Sequence, residues 1–164
     1  MDIFFANEYL GTAIAYLGAA LAVGLCCAGS GKGVGIAGEA ANGTLAEDPG
    51  KFSSCLILQI LPGTQGLYGL VIWFFAMMKM GFFANGVAPI DIGSGLGFFA
   101  ACAPMAVGGL LTAIAQGRCA AAGISLVAKR SEEMSKGIIL AIMVEFYAIL
   151  SLLASFLMLN SMGV

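Results

Sequence analysis

Four stretches of the chain are apolar almost without interruption, over residues 10–29, 52–79, 92–116 and 137–160. A helix needs about 20 residues to cross the hydrocarbon core of a bilayer, so each stretch predicts one membrane-spanning helix. The polar segments between the first and second spans and between the third and fourth, 30–51 and 118–136, read as loops. Their flanks, GVGIAGEAA and AAAGISLVA, stay rich in Ala and Gly, which predicts that the odd helices continue for some turns past the bilayer. Asp48-Pro49 supplies an N-cap followed by the proline tolerated at the first helical position, a start signal for the second helix. Ser131 with Glu132 and Glu133 offers the same for the fourth. The opening residues MDIFFANEYL carry acids where a cleaved leader carries bases, so the first apolar stretch reads as a retained span.

The spans differ in kind. The first and third are rich in Gly and Ala with few aromatics (Tyr16; Phe98, Phe99), whereas the second and fourth carry Phe52, Tyr68, Trp73, Phe74, Phe75, Phe146, Tyr147 and Phe156. Small residues let backbones approach closely and bulky ones suit lipid, which puts the odd helices innermost. An internal repeat agrees. Gly31-Lys32 pairs with Gly117-Arg118, and LPGTQGLYGL (61–70) lies against MVEFYAILSL (143–152), with one four-residue difference in loop length between the halves. The chain therefore reads as an all-α membrane protein, a duplicated helical hairpin in parallel orientation: residues 1–80 form the first hairpin and 81–164 the second.

Composition sharpens this picture. The 164 residues are 60% hydrophobic and 10% charged, with mean hydropathy +1.00, against about 25% charged in soluble proteins. A net charge of -2 offers no basic footprint for nucleic acid, and the absence of His removes the commonest acid-base and metal-binding side chain. The cysteines Cys26, Cys27, Cys55, Cys102 and Cys119 show no C-x-x-C spacing and read as small packing residues. Lys32, Lys51, Arg118, Lys129, Arg130 and Lys136 all fall in the two polar segments, which the positive-inside rule makes cytoplasmic. Both termini then face outside.

One stretch raises the question of a nucleotide. GSGKGVGIAG (29–38) contains a Gly-Lys pair and a literal G-x-G-x-x-G. A phosphate-binding loop needs G-x-x-x-x-G-K-[ST] between a strand and a helix. Here Cys26 stands where the first Gly belongs, Gly33 stands where Ser or Thr belongs, and a membrane span precedes it instead of a strand. These are lookalikes of a Gly-rich composition, and no nucleotide site is expected.

The informative residue is Glu145, inside the fourth span in LAIMVEFYAILSLLASF. An ionised acid at bilayer depth costs at least about 2.5–3.5 kcal/mol, so it is expected to be neutral, paired or ion-bound. On the second span, Thr64, Gln65 and Tyr68 lie at about the same depth, and Pro62 and Gly63 loosen the backbone beside them. Gln116 joins that layer if the third helix extends inward. Oxygen donors around one acid suit a hard monovalent cation. Each also has a plainer role: Thr64 back-bonding to its own helix, the glutamines joining helices, Tyr68 packing. A bare proton needs only the glutamate.

LPGTQGLYG, AQGRCAAAG and MVEFYAIL resemble the rotor-ring proteolipid (K or c subunit) of bacterial sodium-translocating V-type ATPases, and the resemblance covers all four spans. It implies a ring of identical four-helix protomers in the bacterial cell membrane, odd helices inside. Carried over motif by motif, Na+ is held by Glu145, Thr64, Gln65, Gln116 and the carbonyl of Leu61, with Tyr68 holding the glutamate closed. The implied partners are further copies of the chain, surrounding lipid, a static ion-channel subunit with an arginine, and a central stalk on the cytoplasmic face. In single-hairpin relatives an acid follows the proline where Gly63 stands, so here one carboxylate serves two hairpins. The resemblance also implies a subunit without a catalytic site of its own. A rotor carrying H+ alone and a small dimeric transporter or channel stay open as alternatives.

Overall fold

In the computed structural model the described residues are 8–162, so Asp2 and the other opening residues that bear on a leader and on the termini lie outside them. Within that range the chain forms six α-helices and three short 3-10 turns: α1 Leu10–Glu47, α2 Phe52–Ile60, α3 Thr64–Lys79, α4 Phe82–Asn85, α5 Ile92–Lys129 and α6 Met134–Ser161. With the turns included, they make four spans: Leu10–Glu47, Pro49–Lys79, Ile92–Lys129 and Ser131–Ser161. The 38 residues of α1 and of α5 reach roughly 57 Å at helical rise, well beyond a hydrocarbon core of about 30 Å.

The segments 30–51 and 118–136 are therefore not loops. Lys32 and Arg118 sit within helices, and the connections shrink to Asp48 with the turn Pro49–Lys51 and to Arg130 with the turn Ser131–Glu133. Glycines and charges depress hydropathy locally without breaking a helix that has left the bilayer. Asp48 caps as expected, its Oδ1 accepting from the Gly50 N–H at 3.0 Å with Pro49 following. Ser131 does not cap: its Oγ donates back to the Val127 carbonyl at 3.5 Å. At the start of α5, Asp91 accepts from the Ser94 N–H at 3.0 Å, and the Ser94 hydroxyl and amide hold that carboxyl below the usual carboxylate range.

The span boundaries of the two halves match in register. Each boundary of the second lies 82 positions after its counterpart: Leu10 and Ile92, Glu47 and Lys129, Pro49 and Ser131, Lys79 and Ser161. The expected four-residue difference does not exist. Lys32 corresponds to Ile114, not to Arg118, because the Gly-Lys and Gly-Arg pairs used to align the halves are coincidences of glycine content.

Packing follows from side-chain size. α1 and α5 run parallel and touch along their length, with backbone against backbone at the glycines. A methyl group on Gly18 would lie 2.5 Å from the Phe99 Cα, and one on Gly29 would lie 2.7 Å from the Leu110 carbonyl oxygen. Gly33 and Gly117 meet still more closely. α3 packs antiparallel on α1, and α6 antiparallel on α5, crossing closely where Gly123 faces Gly137. The fourth span is the most exposed: 17% of its most apolar window is buried against 39% in each of the other three. Leu67, Phe74, Met143, Phe146, Tyr147 and Leu157 of the even spans are turned outward, apolar surface suited to lipid or a neighbouring copy.

One irregularity was not anticipated. Pro104 lies inside α5, where it removes a helical N–H. Next to it, the Met105 N–H donates to Ser155 Oγ of α6 at 3.0 Å, and Cys26 Sγ of α1 donates to the Met105 carbonyl at 3.2 Å. Three helices are thus joined at one residue.

Candidate ion-binding site

The second span breaks step at Pro62. Between α2 and α3 the backbone tightens to a 3-10 turn over Leu61–Gly63, with Ile60, Leu61, Gly63 and Thr64 in right-handed helical geometry, so the axis is adjusted rather than interrupted. Immediately after it come Thr64, Gln65 and Tyr68, roughly midway along Pro49–Lys79. Glu145 is likewise near the middle of Ser131–Ser161, and α5 extends far enough to carry Gln116 into the same layer.

All six residues come together. The Tyr68 hydroxyl donates to Glu145 Oε1 at 2.6 Å, and Gln116 Nε2 donates to Glu145 Oε2 at 3.4 Å. Gln65 Nε2 donates to Gln116 Oε1 at 2.5 Å, and both amides are fully buried. Thr64 Oγ1 lies 3.1 Å from the Leu61 carbonyl oxygen, to which it donates, and 3.4 Å from Gln65 Oε1. The plainer roles considered for Thr64 and the glutamines are thus real, and they coexist with the cluster: back-bonding and the amide contact are how the oxygens are held. Thr64, Tyr68 and Glu145 are half-buried.

The electrostatics are those of one carboxylate among neutral dipoles. Among the described residues the ion pairs are Lys51 with Asp48 and Lys136 with Glu133, both away from this layer, and no group of three or more His, Cys, Asp or Glu occurs. Oxygens of carboxylate, amide, hydroxyl and backbone carbonyl are hard donors, with charge enough for a single positive ion.

The repeat does not reproduce the acid. At the 82-residue register Glu145 corresponds to Gly63, Gln116 to Val34 and Thr64 to Phe146. A methyl group on Gly63 would sit 3.7 Å from Val34 Cγ2, in ordinary contact.

Sequence reasoning passed over Ser30, whose Oγ accepts the Gly66 N–H at 2.8 Å across the α1–α3 contact. Its one visible signal was a hydroxyl in an otherwise Gly/Ala-rich stretch.

With this geometry in view, the comparisons with known proteins are consistent. The family model for the C subunit of ATP synthase matches twice, over residues 17–76 and 99–158, again 82 positions apart. The V-type sodium ATPase subunit K of Enterococcus hirae is 50% identical over 130 residues, covering 79% of this chain and 80% of that protein. The A-type ATP synthase subunit K of Methanocaldococcus jannaschii is 38% identical over 143 residues, covering 87% of this chain, which spans 60% of that relative's length.

Proposed function

Because this chain belongs to the family of the ATP synthase C subunit, matched once by each of its hairpins, we propose that it is a rotor-ring subunit of an ATP-driven rotary ion pump and binds one Na+ at Glu145. The ligands in this reading are the Glu145 carboxylate, Thr64 Oγ1, the Gln65 and Gln116 side-chain oxygens and the Leu61 carbonyl oxygen. The observation that carries it is the chain of contacts of 2.5–3.4 Å that links the Leu61 carbonyl, Thr64, Gln65 and Gln116 in turn to Glu145, with Tyr68 bonded directly to that acid, in the middle of a membrane span. Sodium as the ion draws support from the relative of Enterococcus hirae, which is named a sodium ATPase subunit.

The physics of the task is charge cancellation. A bare carboxylate facing hydrocarbon costs at least about 2.5–3.5 kcal/mol, equivalent to roughly a hundredfold bias against that state. Binding Na+ removes the net charge, so the loaded face of α6 passes through lipid and the unloaded face does not. An arginine on a static channel subunit would favour release by pairing with the freed carboxylate. Tyr68 holds the carboxylate inward, against the second span, while it is loaded. In this account residues 1–80 form a hairpin with Gly63 where the second hairpin has its mid-membrane acid, and 81–164 the hairpin that carries the ion-binding glutamate. The polar ends at Asp48–Lys51 and Arg130–Glu133 are cytoplasmic and meet the stalk, both termini face outside, and the subunit performs no bond chemistry.

The test is carbodiimide labelling of Glu145 in the purified oligomer across a range of Na+ concentrations. Sodium protection at a pH where labelling otherwise proceeds is expected, together with loss of cation pumping in Glu145→Gln. Labelling indifferent to sodium would overturn the choice of ion in favour of H+, and intact pumping by Glu145→Gln would overturn the site.

A further inference from the structure

α1 contributes none of the proposed ligands, yet it backs the turn and the first residues of α3, which together carry Leu61, Thr64 and Gln65. Gly33 lies against Pro62, Val34 against Gly63, Ser30 and Cys27 against Gly66, and Ala22 and Cys26 against Gly69. Among the described residues the side-chain hydrogen bond between α1 and this stretch is the one that Ser30 Oγ accepts from the Gly66 N–H in the first turn of α3, at 2.8 Å. Ser30 is only 7% exposed.

The position of that bond gives it leverage. In an unbroken helix the Gly66 N–H is paired with the carbonyl four residues back, that of Pro62, but Pro62 lies within the 3-10 turn where the ladder changes period. Ser30 presents an acceptor from a second helix to this N–H. The Gly66 N–H and the Gln65 carbonyl share one planar peptide unit, so holding the N–H fixes the plane attached to the Gln65 Cα. From that Cα the side chain reaches Gln116 Oε1 at 2.5 Å, and Gln116 in turn reaches Glu145. A methyl group on Gly66 would meet Ser30 Oγ at 3.4 Å, an ordinary contact, so the residue at 66 does not itself force the hydroxyl into place.

We infer that Ser30 is a positioning residue of the ion site, fixing through the Gln65–Gly66 peptide the placement of the Thr64 and Gln65 oxygens, and thereby setting Na+ affinity and the preference for Na+ over Li+. The inference rests on the sodium reading above. It also gives the GSGK stretch, which departs from the phosphate-loop pattern, a role at the opposite end of the chemistry: its serine bears on a cation.

The experiment compares Ser30→Ala and Ser30→Thr with the unaltered ring, using native mass spectrometry to score ring assembly. The readout is the Na+ and the Li+ concentration that half-protects Glu145 from carbodiimide. Removing a supporting hydrogen bond to a metal site typically weakens it by about 10- to 100-fold, so Ser30→Ala rings are expected to need at least about tenfold more Na+, with a changed Na+/Li+ ratio. Ser30→Thr, which keeps the hydroxyl, is expected to return both toward the unaltered values. Assembled Ser30→Ala rings with unchanged half-protection and ratio would overturn the inference while leaving the sodium site standing. Should Ser30→Ala fail to assemble, Ser30→Cys, similar in size but a poor acceptor, carries the same expectation and the same refutation. If the unaltered ring shows no protection by Na+, the sodium reading fails and this inference fails with it.

Discussion

Replacing Tyr68 by Phe removes one oxygen and nearly no volume, which isolates the bond from Tyr68 to Glu145. That bond is short, 2.6 Å, and its acceptor is a carboxylate oxygen. Hydrogen bonds to charged groups contribute about 1.5–3 kcal/mol. Tyr68 and Glu145 are both half-buried, so solvent screening argues for the lower end of that range. At 1.4 kcal/mol per factor of ten, about 1.5 kcal/mol is roughly tenfold. The other donor to the carboxylate, Gln116 Nε2 at 3.4 Å, is too long to compensate. Two results are expected from carbodiimide labelling of assembled Tyr68→Phe rings. Glu145 should react faster without sodium, because the carboxyl is no longer drawn inward, and half-protection should require about ten times more Na+. A sodium requirement within about twofold of the unaltered ring, with unchanged reactivity in its absence, would refute the reasoning and reduce Tyr68 to packing.

Gly117→Ala places a methyl group into the backbone of Gly33; overpacking of this kind costs about 1–3 kcal/mol, and a lower thermal transition of the oligomer in detergent should report it. Ser155→Ala removes the hydroxyl that accepts the buried Met105 N–H beside Pro104 and is expected to cost about 0.5–1.5 kcal/mol, seen as faster amide exchange at Met105 with sodium protection of Glu145 retained.

Much of this architecture announces itself in the sequence, because the signals involved are local. Apolar runs long enough to span, the Asp48-Pro49 start and an acid within the fourth span each need only a few neighbouring residues to be recognised. The cluster around Glu145 was legible for the same reason: LPGTQGLYG places Thr64, Gln65 and Tyr68 within about one turn of each other, and Gln116 needed only that α5 run on. What escaped depends on contacts between helices. Ser30 and Gly66 are brought together by the packing of α1 on α3, and Ser155 meets Met105 only once α6 lies on α5. The register of the second and fourth spans, 61–70 against 143–152, matches the 82 positions at which the boundaries repeat, whereas that of the first and third was misjudged by four residues because Gly-Lys and Gly-Arg pairs drew the alignment. The helical stretches taken for loops went wrong through hydropathy, which registers contact with lipid and is blind to helix.

The parallel contact between α1 and α5 has a bearing on assembly as well as on folding. In the ring proposed above, the main-chain contact of Gly33 with Gly117 makes the α1–α5 edge of each copy thin, while Phe74, Phe146 and Tyr147 thicken the opposite edge. A body narrow on one side and broad on the other is a wedge, and identical wedges laid side by side close a circle at a number fixed by their taper. One methylene added along the glycine contact would blunt that taper at every copy simultaneously. In the proposed ring, the stoichiometry of the closed circle, and with it the gearing between rotation and transport, follows in part from a handful of absent side chains.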